Sequence, residues 1–493
     1  RHVDRLWPES LGSVQYDVWS MQPTSPVRYE NGDYRLDKQN RNAISLMDLD
    51  VVGEDRYNMD VVYGQVKADF EPIKDLVFTG MASLNGSWDR RKIHYKNYKY
   101  YNEAGELVTQ RNNPNSVKDS RNNSYQMTLR FLANYKKRFG DNHDLALLYG
   151  MEQISYRNYY SMAQRKDLIS DALPDVSLGS AGSQFAEGYP TKWGINSFFG
   201  RVNYGFKDKY LFEANIRTDG SSRFAPGHRW GFFPSFSAGY DIARTPYFQQ
   251  LALPVSQLKV RVSYGRLGNQ NGAGLYDYIA QMPLDAQGTN AWLLPGISSS
   301  TASKGTIAKT PKMISPYITW EKVDNANLGF DLMLLKNRLS LTADFYQRTT
   351  RDMIGPAESI PSISGIASDD RAKVNNATLR NRGWELSVSW NDKLKCGFSY
   401  GVGFNVFNYK AVVTKYNNPE GIIYNNHTGL AANKGYYEGM DIGEIWGYRA
   451  DDLFLSNREI DDYLRNVNLT AFKSNDLWRR GDLKYIDSNG DGR

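Results

Sequence analysis

The sequence predicts an all-β chain, a transmembrane antiparallel β-barrel built from long strands. Three observations carry this reading. Hydrophobicity alternates with period two along many segments. The segments are longer than ordinary globular strands. Short and long connections alternate along the chain.

The alternation is clearest between Phe198 and Phe206. Phe198, Val202, Tyr204 and Phe206 share one face, and Phe199, Arg201 and Asn203 share the other. The next segment sets Tyr210, Phe212, Ala214 and Ile216 against Leu211, Glu213, Asn215 and Arg217. Leu258, Val260, Val262 and Tyr264 oppose Lys259, Arg261 and Ser263. Leu339, Leu341, Ala343 and Phe345 oppose Ser340, Thr342 and Asp344. Trp384, Leu386, Val388 and Trp390 oppose Glu385, Ser387, Ser389 and Asn391. About twelve or more such strands are expected, many of about 10 to 15 residues, against the usual 5 to 6. A membrane-crossing strand needs about 9 to 11.

Taken in order, segments 60–70 and 75–90 meet at a short turn around Pro72 and Lys74. A long stretch, 91–121, follows. Segments 123–138 and 144–158 meet at Gly140-Asp141-Asn142, and the long stretch 159–193 follows. Segments 195–206 and 210–219 meet at Lys207-Asp208-Lys209. The connections 220–230 and 244–256 are intermediate. Segments 318–334 and 338–350 meet around Lys336-Asn337, with the long stretch 351–379 after them. Segments 380–391 and 397–409 meet around Asp392-Lys393. Short turns on one side and long loops on the other are the pattern of an outer-membrane barrel. The apolar faces then meet lipid. Arg201, Glu213, Arg217, Lys259, Arg261, Asp344 and Glu385 line the lumen. Aromatics at strand ends, such as Tyr204, Phe206 and Tyr210, sit at the interface. A soluble sandwich has no reason to place long loops at every second turn.

Composition agrees. The 493 residues include 34 Tyr, 21 Phe, 11 Trp and 42 Gly, a mix that favours strands and turns. No apolar run approaches the ~18 residues of a membrane helix. Cys396 is the only cysteine, so no internal disulfide and no Cys-based zinc site is possible. The net charge of +6 comes from interleaved basic and acidic residues, with no basic block, so nucleic acid is not an expected partner.

The run Ser197-Phe198-Phe199-Gly200-Arg201-Val202-Asn203-Tyr204, followed by Arg217-Thr218-Asp219-Gly220-Ser221-Ser222-Arg223-Phe224 and Phe233-Pro234-Ser235, resembles the SusC/RagA family. These are TonB-dependent transporters of Bacteroidetes outer membranes. Further matches follow in family order: Leu258-Lys259-Val260-Arg261, Gly268-Asn269-Gln270, Trp320-Glu321-Lys322, Asn327-Leu328-Gly329, Asn381-Arg382-Gly383-Trp384-Glu385 and Gly439 to Tyr448. The likeness is strong over 190–493. It is weaker before that, where the strand pattern and Asn31-Gly32-Asp33-Tyr34 carry it. It implies a 22-stranded barrel plugged by an N-terminal domain, a SusD-like lipoprotein lid, energy delivered through TonB, and oligosaccharide or peptide cargo. It also suggests a homodimer of transporter–lipoprotein pairs. On this reading residues 1–493 are part of one barrel domain, and the plug and C-terminal strands lie outside this sequence.

Aromatics of the long stretches are the expected cargo wall: Tyr159, Tyr160, Trp193, Tyr276, Tyr278 and Trp292, with Asn269 and Gln270 as polar neighbours. Ring faces stack on sugars, and binding residues gather on loops of rigid scaffolds. The plainer reading is that these rings pack loops together or anchor the membrane edge. Asp487, Asn489 and Asp491, with Gly490 and Gly492, match the start of a calcium loop and make it a candidate Ca2+ site; no cofactor is otherwise expected. Its plainer reading is a tight turn. Arg217 to Phe224 looks rich in chemistry, but no Gly-x-Ser-x-Gly elbow exists, and it reads as a strand end and turn. The expected function is therefore active import across the bacterial outer membrane, not enzymatic catalysis. The alternatives are a lidless siderophore or vitamin receptor, a passive porin, and a secreted all-β glycan-binding protein or hydrolase with a carboxylate pair.

Overall fold

Long strands dominate the computed structural model, as the period-two pattern requires. It describes residues 2–5, 19, 28–35, 49–102, 104–282, 284–285, 307–308, 311–357, 371–416, 436–444, 449–467 and 478–486.

The first compact unit takes residues 1–253 and 259–320. Its strands are β1 (His2–Arg5), β2 (Gly53–Ile73), β3 (Leu76–Tyr95), β4 (Tyr98–Tyr101), β5 (Leu107–Arg111), β6 (Ser116–Phe139), β7 (His143–Lys166), β8 (Phe185–Phe206), β9 (Tyr210–Ser221), β10 (Trp230–Asp241), β11 (Val255–Asn269, in this unit from Lys259), β12 (Leu284–Asp285) and β13 (Ile307–Ala308). The main sheet is an antiparallel meander in the order β1, β2, β3, β6, β7, β8, β9, β10, β11. The hairpin β4–β5 stands in the connection between β3 and β6. The second unit takes residues 254–258 and 321–493. Its strands β14 (Glu321–Leu334), β15 (Leu339–Pro356), β16 (Lys373–Lys393) and β17 (Ser399–Lys415) form a second meander. After it, β18 (Ala450–Leu453), the helix Asn457–Leu464 and β19 (Leu483–Tyr485) enclose Phe454, Ile460, Val467 and Trp478.

The register puts like side chains on like faces. Phe212 lies opposite Tyr204 and Ala238, and Ile216 lies opposite Gly200 and Pro234. This apolar face is the open one: Val202 is 44%, Phe212 52%, Ile216 52% and Phe236 53% exposed. In the second unit Leu328 faces Phe345, and Phe345 faces Trp384, while Asp344 and Glu385 pair on the opposite side. An exposed apolar band backed by a polar face is what lipid on one side and water on the other select.

Two aromatic belts bound that band in the first unit. At the short-turn end Tyr210 stacks on Tyr240 at 5.0 Å and on Phe206 at 6.2 Å, and His143 lies 5.0 Å from Phe206. At the other end Trp88 meets Tyr125 edge-on at 5.5 Å and donates its indole N–H to the Tyr125 hydroxyl at 3.0 Å. Phe198 of β8 stacks on Trp230 of β10 at 6.1 Å. Phe198 and Phe206 lie about eight residues apart on β8, close to the length of one membrane crossing. Between β8 and β9 the hairpin closes with Lys207 at φ 53° and Asp208 at φ 52°, the left-handed pair that matches strand twist.

The strands run well past the outer belt. β6 and β7 have 24 residues each, against about 9 to 11 for a crossing. The stretch 91–121, expected as a connection, is therefore largely strand, and so is about half of 159–193. β7 continues to Lys166 and β8 begins at Phe185. The third long stretch shortens in the same way, because β15 reaches Pro356 and β16 begins at Lys373. The physical reason is visible on β7. Its outward residues Leu145, Leu147, Tyr149 and Met151 are apolar, whereas Gln153, Ser155 and Arg157 beyond them are not. Outside lipid neither face has to be apolar, so the periodic signal fades while the strand goes on.

The lipid-facing assignment has a direct consequence. Val202→Arg places a charge near mid-band and is expected to destabilise the barrel by about 2–4 kcal/mol, while Asn203→Arg on the opposite face costs far less. Urea titration of the protein folded into lipid vesicles measures both. Equal losses would contradict the facing.

Candidate functional site

The polar face of the first unit carries a charge network at the level of the apolar band. Glu152 on β7 is its centre, with a side chain 6% exposed. From β6, directly opposite, the Arg130 Nε donates to Glu152 Oε2 at 2.7 Å, and Arg130 Nη2 donates to the same oxygen. From β9, beyond β8, Arg217 Nη2 donates to Glu152 Oε1 at 3.1 Å and to Ser197 Oγ at 2.9 Å. Arg217 Nε also donates to Asp219 Oδ1 at 2.7 Å. Each carboxylate oxygen of Glu152 thus has a guanidinium, which is the condition for keeping a charge out of water.

Arg217 reaches across β8 because Phe199 lies flat. The register aligns Gly150, Phe199 and Arg217 across three strands. A Cβ on Gly150 would meet the Phe199 ring at 2.2 Å, so glycine is what lets the ring drop onto the sheet. The Arg217 guanidinium then rides over that ring, 5.1 Å from its centroid.

Further along the same face the strands rise into an aromatic rim. Tyr156 on β7 stacks on Trp193 of β8 at 5.4 Å, and Tyr160 meets Tyr189 at 5.3 Å. Arg223, just after β9, sits 5.5 Å over Trp193. The turn after β11 closes in from the side. The Tyr276 hydroxyl accepts from the Lys192 N–H at 3.0 Å, and Gln270 Oε1 accepts from the fully buried Ser221 at 2.5 Å. Arg223 Nη1 donates to the Ala273 carbonyl at 3.0 Å. The connection 167–184 is tied down as well: His94 Nε2 and Asn115 Nδ2 both meet Asp171 Oδ1, at 3.0 and 2.7 Å, and Lys92 pairs with Asp175 at 2.8 Å.

Of the expected cargo-wall residues, Tyr160, Trp193, Gln270 and Tyr276 come together at this rim. Tyr160 and Trp193 stand on extended strands, not in loops. Tyr159 is on β7 too, and strand geometry turns it to the opposite, outward face, where it is 47% exposed. Asn269 ends β11 and accepts from the Asn271 N–H at 3.1 Å. Tyr278 is half-buried in the turn that follows. Trp292, Asp487, Asn489 and Asp491 lie outside the described residues. Among the described residues no group of three or more His, Cys, Asp or Glu side chains is placed to hold a metal ion. Glu152 and Arg130 are paired inner-face residues that the sequence reading passed over. Their signal was there: single charges in the middle of otherwise apolar strand stretches.

The motif Arg217 to Phe224 is now explained residue by residue. Thr218 Oγ1 donates to the Gly231 carbonyl at 3.0 Å, and Gly220 leaves room for the Trp230 ring. Ser221 Oγ accepts from the Arg223 N–H at 3.1 Å, and Ser222 Oγ accepts from the Gly194 N–H at 2.9 Å. Phe224 is fully buried, 5.3 Å from Trp320. The motif locks a strand end, as its reading as a turn expected.

A family model described as "TonB dependent receptor-like, beta-barrel" matches residues 12–487. The chain belongs to this family. It is thus an outer-membrane barrel of TonB-dependent receptor type, and the resemblance read from its motifs holds. TonB-dependent receptor P39 of Formosa agariphila is 25% identical over 97% of this chain and 45% of its own length. TonB-dependent receptor SusC of Bacteroides thetaiotaomicron is 26% identical over 75% of this chain and 34% of its own length. Among solved structures, the RagAB peptide importer in its closed-closed state superposes with a TM-score of 0.60 and 26% identity, covering 73% of this chain and 37% of that one. The chain spans less than half the length of these relatives. The family is one of receptors and transporters, not of enzymes.

In this TonB-dependent barrel the Glu152 network should act as a unit. Glu152→Ala leaves Arg130 without a carboxylate and Arg217 with Asp219 alone, and is expected to cost about 1.5–3 kcal/mol, the range of hydrogen bonds to charged groups, because both guanidinium groups are partly exposed. The double replacement of Glu152 and Arg130 by apolar residues, which keeps the Arg217–Asp219 pair, is expected to cost less than that single change. Urea-induced unfolding in detergent micelles, compared across the variants, measures the difference. A mild single variant and a severe double one would contradict the coupling.

Proposed function

We propose that this chain forms the barrel wall of an energised importer that takes oligosaccharides or peptides across the outer membrane. The observation that carries this reading is the polar inner face, continuous from the Glu152 network to the rim at Tyr160, Trp193, Gln270 and Tyr276. A wet, hydrogen-bonding wall suits polar cargo. Sugar hydroxyls and peptide amides need replacement partners when they leave water. The similarity to the RagAB peptide importer supports cargo of that kind. Cargo enters between the rim and a plug, beneath a SusD-like surface lipoprotein, and TonB supplies the energy that opens a path. The transporter–lipoprotein unit works in pairs.

No bond is made or broken in this function, so its physics is a difference of affinities. The loaded, closed state must hold cargo more tightly than the opened state. The test is extraction of the protein from native outer membranes in mild detergent, with uptake measured in cells with and without TonB. A stoichiometric lipoprotein partner and uptake that stops without TonB are the expected results. A barrel that purifies alone would favour a lidless receptor. Uptake that survives loss of TonB would favour a passive pore and contradict the reading.

A further inference from the structure

We propose that Arg223 is a cargo-reading residue: its guanidinium receives a carboxylate carried by the transported molecule. The proposal rests on the uptake reading above and names one chemical feature of the cargo.

The observation is a comparison within one wall. Three other arginines of the first unit use the side-on fork of the guanidinium, Nε with Nη2, and each engages carboxylates. Arg91 gives both donors to Asp55, at 3.0 Å from Nε and 2.6 Å from Nη2. Arg130 gives both to Glu152. Arg217 gives Nε to Asp219 and Nη2 to Glu152. Arg223 is held in an equally fixed pose. Nη1 is anchored on the Ala273 carbonyl at 3.0 Å, and the guanidinium lies against Trp193. Yet its fork has no acceptor. Nε is buried without a hydrogen-bond partner, and among the described residues Nη2 makes no hydrogen bond and no carboxylate forms an ion pair with it.

Such an arrangement is costly. A guanidinium carries five N–H donors; here Nη1 is anchored and Nη2 is open, but the covered Nε has lost its water without gaining an acceptor. Burial disfavours the charged form and lowers its pKa, which the field of Asp277 only partly offsets. The Asp277 carboxylate is engaged elsewhere, accepting the Gly274 N–H at 2.7 Å. Arg91, Arg130 and Arg217 have the carboxylate that the Arg223 fork lacks. The missing partner is a planar anion of carboxylate geometry, and the fork is built for that shape. The position suits arriving cargo, because Arg223 stands at the rim beside Trp193, Tyr276 and Gln270. Nε is covered in this state, so an arriving carboxylate meets Nη2 first and completes the fork at Nε only after a local rearrangement. The surrounding rings serve less as sugar platforms than as a support, since Trp193 already has Tyr156 and Arg223 against it.

The test uses the protein isolated with its bound cargo from native outer membranes. Cargo released from the wild-type protein and from Arg223→Gln and Arg223→Lys is analysed by mass spectrometry for carboxylate-bearing and neutral molecules. The same analysis tells uronate-bearing saccharides from peptides. The wild type is expected to carry mostly carboxylate-bearing cargo. Both variants are expected to lower the ratio of acidic to neutral cargo at least tenfold, Lys included, because an ammonium lacks the fork. A second measurement needs no variant. Released cargo is amidated at its carboxylates and rebound to the wild-type protein, with an expected tenfold or greater loss of affinity. Unchanged ratios in the variants, or undiminished rebinding after amidation, would overturn the proposal while leaving the uptake reading intact. A wild-type protein that carries no cargo and takes none up would overturn both.

Discussion

The structure depends on one constraint. Inside a lipid layer a backbone N–H or C=O has no water to turn to, so every strand must be paired along its whole length within the layer. A paired strand has two faces, and the two faces of this sheet meet different solvents. Period-two patterning, exposed Val202, Phe212, Ile216 and Phe236, and the charges on the opposite side all follow from that division. The aromatic belts mark where the division stops. Beyond them the same hydrogen-bonded ladders continue with water on both faces, and the sequence is released from the alternation.

Charge placement follows from the same division. The Glu152 carboxylate is buried beneath its neighbours although it stands on the polar face, so it needs full compensation. Glu152 has it, from Arg130 on one neighbour and from Arg217 two strands away. Gly150 and Phe199 make that second reach possible. The network therefore ties β6, β7, β8 and β9 through side chains as well as backbone. Within it every charge is paired: Arg130 and Arg217 with Glu152, and Arg217 with Asp219. Arg223 at the rim has no carboxylate on its fork, and an incoming molecule can supply one.

Much of this was legible in the sequence, and the failures have physical causes. The segment 195–219 reads correctly to within a few residues, because lipid on one side enforces its alternation. The outer ends of β3, β6, β7 and β8 do not, because water on both sides removes the signal that identifies strands. Tyr159 and Tyr160 look alike in sequence and face opposite ways in the strand. Trp193 and Tyr276 stand at one rim with Arg223, and that meeting depends on the register of β8 with β9 and on the fold of the turn after β11. Sequence spacing does not encode that meeting. Glu152 was readable as a charge within an apolar stretch, while its pairing with Arg217 across β8 needed the sheet order.

Facing is the claim on which the barrel, the network and the rim all rest, and it can be measured residue by residue. Cys396, the single cysteine, is first replaced by Ser, and one cysteine at a time is then placed along β9 from Tyr210 to Ser221 and labelled with a fluorophore in the outer membrane. Labels at Phe212, Ala214, Ile216 and Thr218 are expected to be quenched by a lipid-dissolved quencher, and those at Glu213, Asn215 and Arg217 by a water-soluble one. Quenching without that alternation, or with water reaching both sets equally, would contradict a wall that separates lipid from lumen.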